Sequence, residues 1–338
     1  MIREAQEKIN SKADLTADEM AGVMNEIMSG KAATADIVSF LTALSEKGET
    51  IEEITAAASV MRAHSIRIRP ESAIVLDTCG TGGDRKNTFN ISTAAAFVVA
   101  GCGVTIAKHG NRSVSSICGS ADILEALGIS ISLDKDKVEK CLNQIGIAFL
   151  YAPDFHPALK HASAARKQIG RRTIFNILGP LCNPAGATHQ LIGVYAQGIG
   201  PVLAAVAGNL GVKHCLAVHG EGVMDEVTTI GWTEINEFLD GKVRTYRITP
   251  EEFGFTRAAA KDIVGAGPVE NAAIMLELFK GAPGAKRDIV VFNAAAALYA
   301  ADKVASIKEG ISLARGSIDS GKALEKLTLL KEYSNGKN

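Results

Sequence analysis

Ala73-Ile74-Val75-Leu76-Asp77-Thr78-Cys79-Gly80-Thr81-Gly82-Gly83-Asp84 is the stretch whose reading decides the fold class. Its first four residues form a short apolar, β-branched run that reads as a buried strand. Its end places three glycines in four positions, where the missing side chains let backbone N–H groups approach an anion. No Gly-Lys-Ser/Thr follows, so this is not a Walker A loop. Arg85 stands where a dinucleotide fingerprint needs its third glycine. Phosphate binding without a nucleotide motif points to a sugar phosphate or a diphosphate. A plain tight turn explains the glycines about equally well.

Working outward, further apolar runs at 104–107, 129–133, 147–150, 215–218 and 289–292 read as strands, several of them separated by alanine-rich helical stretches. Strands alternating with helices imply a largely parallel sheet, whose ligands sit outside the carboxyl ends of the strands. Upstream, the first 65 residues read as short helices. Thr16 with Glu19 and Thr50 with Glu53 are capping boxes, and Gly30 and Gly48 are stops. Ile37, Phe40, Leu41 and Leu44 share one helix face, as do Ile54, Ala58 and Met61. The expected fold is therefore α/β: a small all-helical domain at 1–70, and a large domain at 71–338 with a central, mostly parallel sheet. An apolar face left over on the helical unit would serve as a dimer surface.

A length of 338 residues suits about two domains. Lys and Arg number 36 against 37 Asp and Glu, so no global basic field draws in nucleic acid. Aromatic residues are only 5%, which argues against a stacking platform for single strands. No apolar run reaches the ~18–20 residues that span a bilayer. The charged start lacks a signal peptide's apolar core. The six cysteines form no Cys-x-x-Cys pair and read as reduced thiols of a cytoplasmic protein.

Four polar clusters are candidates for chemistry. Asn90-Ile91-Ser92-Thr93 precedes a helix, where it either caps the N-terminus or helps it hold phosphate. Lys108-His109-Gly110-Asn111-Arg112-Ser113-Val114-Ser115-Ser116 is dense in donors directly after a buried strand, a place where ligand contact is favoured over a solvated loop. Gly119-Ser120-Ala121-Asp122 starts another helix. Asp225-Glu226 in a loop suits Mg²⁺ if phosphate lies nearby and is otherwise solvated surface. Arg166, Arg171 and Arg172 lie in and just after a helix opened by Pro157, and one of them facing a cleft would clamp a carboxylate. His109, His156 and His219 lack zinc spacing, and no hydrolase triad is visible.

These motifs, with Arg171-Arg172-Thr173-Ile174-Phe175-Asn176 and Gly179-Pro180-Leu181, occur in one order. Together they resemble the anthranilate phosphoribosyltransferase family over nearly the whole chain. The resemblance implies a nucleoside phosphorylase and phosphoribosyltransferase type of fold, with part of 166–190 returning to the helical domain. It implies transfer of 5-phosphoribose from phosphoribosyl pyrophosphate to the amine of anthranilate, in tryptophan biosynthesis. By the same resemblance, Gly80, Gly83, Asp84, Thr88, Asn90, Ile91, Ser92 and Thr93, the nine residues Lys108 to Ser116, and Ser120 would hold phosphoribosyl pyrophosphate. Gly80, Asn111 and Arg166 would meet anthranilate. Ser92, Asp225 and Glu226 would carry Mg²⁺, with Lys108, Asp225 and Glu226 doing the catalytic work. A homodimer is implied, and an anthranilate synthase subunit is a candidate partner. Cys182 departs from the hydroxyl residue expected there. Pyrimidine nucleoside phosphorylases share the architecture but differ across 108–116. A nucleic-acid-binding relative would need a basic surface, and a purely structural helical dimer would leave the donor-rich loops unexplained.

Overall fold

The structure, a computed structural model, describes residues 1–84, 86–113 and 117–336. Four helices come first: α1 (Ile2–Asn10), α2 (Ala17–Met28), α3 (Thr34–Lys47) and α4 (Ile51–Ala63). Both capping boxes form, with each Thr hydroxyl accepting the Glu N–H and each Glu carboxylate returning to the Thr N–H. Glu53 does more than cap. Buried completely, it accepts hydrogen bonds from the N–H of Leu15 and Thr50 and from the Lys47 ammonium. A buried carboxylate is tolerable only when paired in this way, and here it ties α4 to α3 and to the loop before α2.

The sheet has seven strands: β1 (Val75–Asp77), β2 (Thr105–Gly110), β3 (Ile147–Tyr151), β4 (His189–Gly193), β5 (His214–Gly220), β6 (Thr233–Leu239) and β7 (Lys242–Ile248). Their order is β3-β2-β1-β4-β5-β6-β7. The first five run parallel, and β6 and β7 add an antiparallel edge. The remaining helices are α5 (Ile91–Gly101), α6 (Ser120–Ala126), α7 (Lys135–Ile145), α8 (Ala152–Phe155), α9 (Lys160–Ile169), α10 (Phe175–Leu181), α11 (Ile199–Asn209), α12 (Pro268–Phe279), α13 (Ala285–Ala300), α14 (Ile307–Asp319) and α15 (Lys322–Ser334).

Two hydrophobic clusters hold the chain. One joins the sheet to α5, α7 and α12–α15. The other unites α1–α4 with α9, α10 and α11, and reaches Ile192, Cys215 and Ala217 on β4 and β5. Among the described residues, no helix is long and apolar enough to cross a membrane.

Two expected strands are corrected. Residues 289–292 are fully buried inside the helix α13. A short apolar run cannot distinguish a buried strand from a buried helix. Residues 129–133 are chain between α6 and α7 that pairs with no strand. Their alternate side chains Ile129, Ile131 and Leu133 pack on the core, while the N–H groups of 129 and 130 go to Leu124 O and Ser334 Oγ. Conversely, β4, β6 and β7 had no strong apolar signal. The turn joining β6 to β7 is Asp240-Gly241, both at positive φ, a two-residue hairpin signal legible in the sequence.

Strand order reverses at β1, which is followed by β2 and β3 on one side while β4 lies on the other. The carboxyl ends of β1 and β4 therefore flank a topological switch point, the place where such sheets bind ligands.

Candidate active site

A cleft of about 890 Å³ opens there. Every described residue that sequence reasoning placed in the site borders it. Val114, Ser115 and Ser116 lie outside the described residues. The glycine loop follows β1 and folds back against the end of β4. Thr81 N–H donates to Gly193 O at 2.8 Å, and a Cβ on Gly80 would stand 3.1 Å from the same oxygen. A Cβ on Gly193 would overlap Asp225 O. Two glycines thus let the loops after β1, β4 and β5 meet without side chains between them. Sequence reasoning missed Gly193, since a lone glycine after an unremarked strand carries no signal.

Lys108 and His109 belong to β2 itself rather than to the loop after it. The Lys108 ammonium is buried and donates to Thr78 O, Thr78 Oγ1 and, at 3.4 Å, Ser92 Oγ. Asp77, another omission from the expected site, is wholly buried beneath it. Its oxygens accept from His109 N–H and Asn183 Nδ2. Burial pushes Asp77 up to about 6, against the pull of Lys108 and those two donors.

The acids cluster opposite. Burial, and then the Asp84 carboxylate beside it, push Asp225 up to about 8. Burial and Asp225 raise Glu226 as well, while Lys108 opposes. One oxygen of Asp84 is buried without a partner among the described residues. Three carboxyl groups held in mutual repulsion, one with an orphaned oxygen, fit a divalent cation. Magnesium takes one or two carboxylates and leaves its other positions to water and phosphate oxygens. Asp77, Cys79 and His109 also bring one ligand atom each within 4.8 Å of one another. Both Asp77 oxygens are already used, and a thiol with an imidazole is a poor donor set for magnesium.

Neither Ser92 nor Thr93 caps α5; both sit in its first turn, and the cap residue Asn90 makes no side-chain cap bond. The orphan N–H of Ser92 goes to the Glu226 carboxylate at 3.1 Å. The cap thus comes from 134 residues away, which local sequence cannot reveal. Arg112 borders the cleft but is engaged by Glu125 and Asp122. Asn111 lends its backbone oxygen to Ala121 N–H and Ser120 Oγ, which pins the strand end to the start of α6.

The far side of the cleft comes from the α8–α10 region. Arg166 lies 5.3 Å over the Phe175 ring, and burial lowers its pKa. Among the described residues no carboxylate pairs with it. The His109 and His156 rings lie 5.1 Å apart, tilted by 52°, and burial first of all drives them down to about 3 and about 4. Both are neutral at pH 7, and the Nε2 of each lacks a partner among the described residues. Of the other arginines, Arg171 pairs with Glu46 on the surface, whereas Arg172 reaches the glycine loop.

A cleft with an anion-ready loop and acid cluster at one end, and at the other a half-buried arginine that no carboxylate among the described residues pairs, suits two different anionic substrates. The glycosyl transferase family helical bundle domain matches residues 3–65, and the a/b domain of that family matches residues 72–324. The chain is 51% identical to the anthranilate phosphoribosyltransferase of Acetivibrio thermocellus, covering 99% of this chain and 97% of the relative. It is 50% identical to that of Methanocorpusculum labreanum over 100% and 99%. The chain belongs to the anthranilate phosphoribosyltransferase family. Among solved anthranilate phosphoribosyltransferases, the Thermus thermophilus enzyme superposes with a TM-score of 0.93 at 40% identity, covering 98% of this chain and 99% of that one. A Saccharomyces cerevisiae member, in complex with PRPP and Mg, has a TM-score of 0.90 at 30% identity over 99% and 98%.

Proposed function

We propose that the chain transfers 5-phosphoribose from phosphoribosyl pyrophosphate to the amine of anthranilate, giving N-(5-phosphoribosyl)anthranilate and pyrophosphate in tryptophan biosynthesis. The observation that carries this reading is the bipolar cleft, with its donor-rich loops and acids at one end and, at the other, Arg166, which no carboxylate among the described residues pairs.

The backbone N–H groups of Gly80, Gly83 and Asp84, with Thr88, Asn90 to Thr93, the segment from Lys108 to Ser116, and Ser120, bind the phosphoribosyl donor. Asp225, Glu226 and Ser92 hold magnesium, which when bound supplies positive charge to the departing pyrophosphate. Lys108 adds a fixed cation to the same end. As the C1′–O bond loosens the ribose gains oxocarbenium character, so fixed charges aimed at the leaving oxygens lower the barrier without rearranging. The rest is positioning. Arg166, with Asn111 and the Gly80 backbone, orients anthranilate by its carboxylate. An aromatic amine is neutral at pH 7 and attacks without prior deprotonation, and the ortho carboxylate takes up the proton afterwards.

The division into a helical unit at 1–70 and an α/β unit at 71–338, with part of 166–190 returning to the former, belongs to the same reading. The α9 and α10 side chains in the helical cluster support it. To the same reading belong assembly as a homodimer through the helical units and anthranilate synthase as a partner, both drawn from the family resemblance, and a cytoplasmic location, drawn from the reduced cysteines.

Loss of anthranilate fluorescence on mixing protein, phosphoribosyl pyrophosphate and Mg²⁺, abolished by a chelator, tests the reaction. No loss in a folded sample overturns it. Arg166→Ala removes a charge-assisted contact worth about 2–3 kcal/mol, so the KM for anthranilate should rise roughly 30- to 150-fold while the KM for the donor stays put. An unchanged anthranilate KM removes Arg166 from this role.

A further inference from the structure

Gly170, the left-handed C-cap of α9, is followed by two arginines that diverge. Arg172 crosses to the glycine loop, where Nη2 donates to Gly83 O at 2.6 Å. Its guanidinium lies 3.4 Å from the centroid of the Tyr195 ring, a stacking distance. Tyr195 is bound to the same loop through its N–H, which donates to Thr81 Oγ1 at 3.2 Å. Gly83 has φ +83, and a Cβ there would stand 2.8 Å from Arg172 Nη2. The left-handed backbone favours glycine at this position, and a Cβ there would push the guanidinium off its carbonyl.

The residue after Gly83 is Asp84, whose carboxyl faces Asp225. Left free, the loop would let Asp84 swing to water and escape that repulsion. Its attachments are therefore doing electrostatic work, and one of them comes from the α9–α10 segment that carries Arg166 on the acceptor side of the cleft.

We propose that Arg172 is a positioning residue: stacked on Tyr195 and donating to Gly83 O, it latches the glycine loop across the cleft and holds Asp84 in the acid cluster, so that affinity for the diphosphate donor depends on a residue from the acceptor side. The functional half of this proposal rests on the phosphoribosyl-transfer reading; the latch itself does not.

Hydrogen exchange of the unliganded protein tests the latch directly. In Arg172→Ala the Thr81 amide, held by Gly193 O, and its neighbours through Asp84 should exchange about tenfold faster, on the rule that local opening sets protection. Tyr195→Leu should do the same, Tyr195→Phe should keep the ring and the protection, and the Arg172→Ala/Tyr195→Leu pair should be less than additive. In turnover, Arg172→Ala should raise the KM for phosphoribosyl pyrophosphate and the half-activating Mg²⁺ concentration about tenfold each, with the anthranilate KM within about twofold. Where Arg172→Ala folds poorly, Arg172→Lys keeps the charge but not the planar stack, and intermediate exchange supports the proposal. Unchanged loop exchange overturns it, and if the donor KM still rises, Arg172 is a direct phosphate contact instead. A parent protein that exchanges as expected but transfers nothing sinks the functional reading and leaves the latch standing.

Discussion

Asp225→Asn will melt at a higher temperature than the parent in magnesium-free buffer near pH 7.5, and will have lost at least about 100-fold in kcat/KM, the usual cost of removing one electrostatic stabiliser. The two effects share a cause. Burial and the Asp84 carboxylate hold Asp225 at about 8 in the folded protein, well above the ~3.9 of an unfolded aspartate. A carboxyl whose folded pKa is raised binds its proton more tightly when folded, so it weakens folding above the unfolded value and ceases to do so as pH falls toward 4. At pH 7.5 most of that penalty is in force. Asparagine abolishes it, worth on the order of 2–3 kcal/mol after relaxation, or several degrees in Tm. Mg²⁺ binds the folded state alone and should narrow the gap by raising the parent's Tm more than the variant's. Calorimetry in chelator and in Mg²⁺, at pH 5 and pH 7.5, checks all three. A variant that melts below the parent at pH 7.5 refutes the burial penalty on Asp225, and one that gains as much from Mg²⁺ as the parent refutes its assignment to the metal.

Lys108→Met will lose both stability and activity, by separable amounts. The ammonium is buried, donates to Thr78 and Ser92, and counters the charges of Asp77 and Glu226. Removing one partner of a buried ionic set leaves the others uncompensated, at about 3–5 kcal/mol. Adding Asp77→Asn should restore much of that stability, because it removes the largest uncompensated charge. It should restore none of the activity, since the cation aimed at the leaving group is still absent. We expect kcat to fall about 10³-fold in both single and double variants. Urea midpoints alongside kcat for the two proteins decide the matter. Rescue of kcat by Asp77→Asn would show that Lys108 serves the fold and not the reaction.

Local chemistry was legible where its cause is local. The capping boxes at Thr16 and Thr50 formed because hydroxyl, carboxylate and N–H lie within four residues. The loop after β1 was legible because consecutive glycines mark close backbone approach. Misreadings occurred where one pattern serves two structures. Residues 289–292 look like a buried strand, and only their packing across the sheet makes them a helix. The polar strands β6 and β7 escaped notice because β7 is an exposed edge and β6 buries polar side chains, Glu234, Asn236 and Glu237, so neither needs an apolar run.

By itself the sequence determined which segments bring glycines, donors and acids, and the family resemblance put those segments into one site. Tertiary structure alone decided how they act on one another. It caps α5 with Glu226, sets Lys108 over Asp77, crowds Asp84 against Asp225, leaves Arg166 without a counter-ion among the described residues and turns Arg172 onto the glycine loop. The physical reason is that charge, burial and pairing are properties of neighbours in space, and at a switch point those neighbours arrive from strands and helices more than a hundred residues apart.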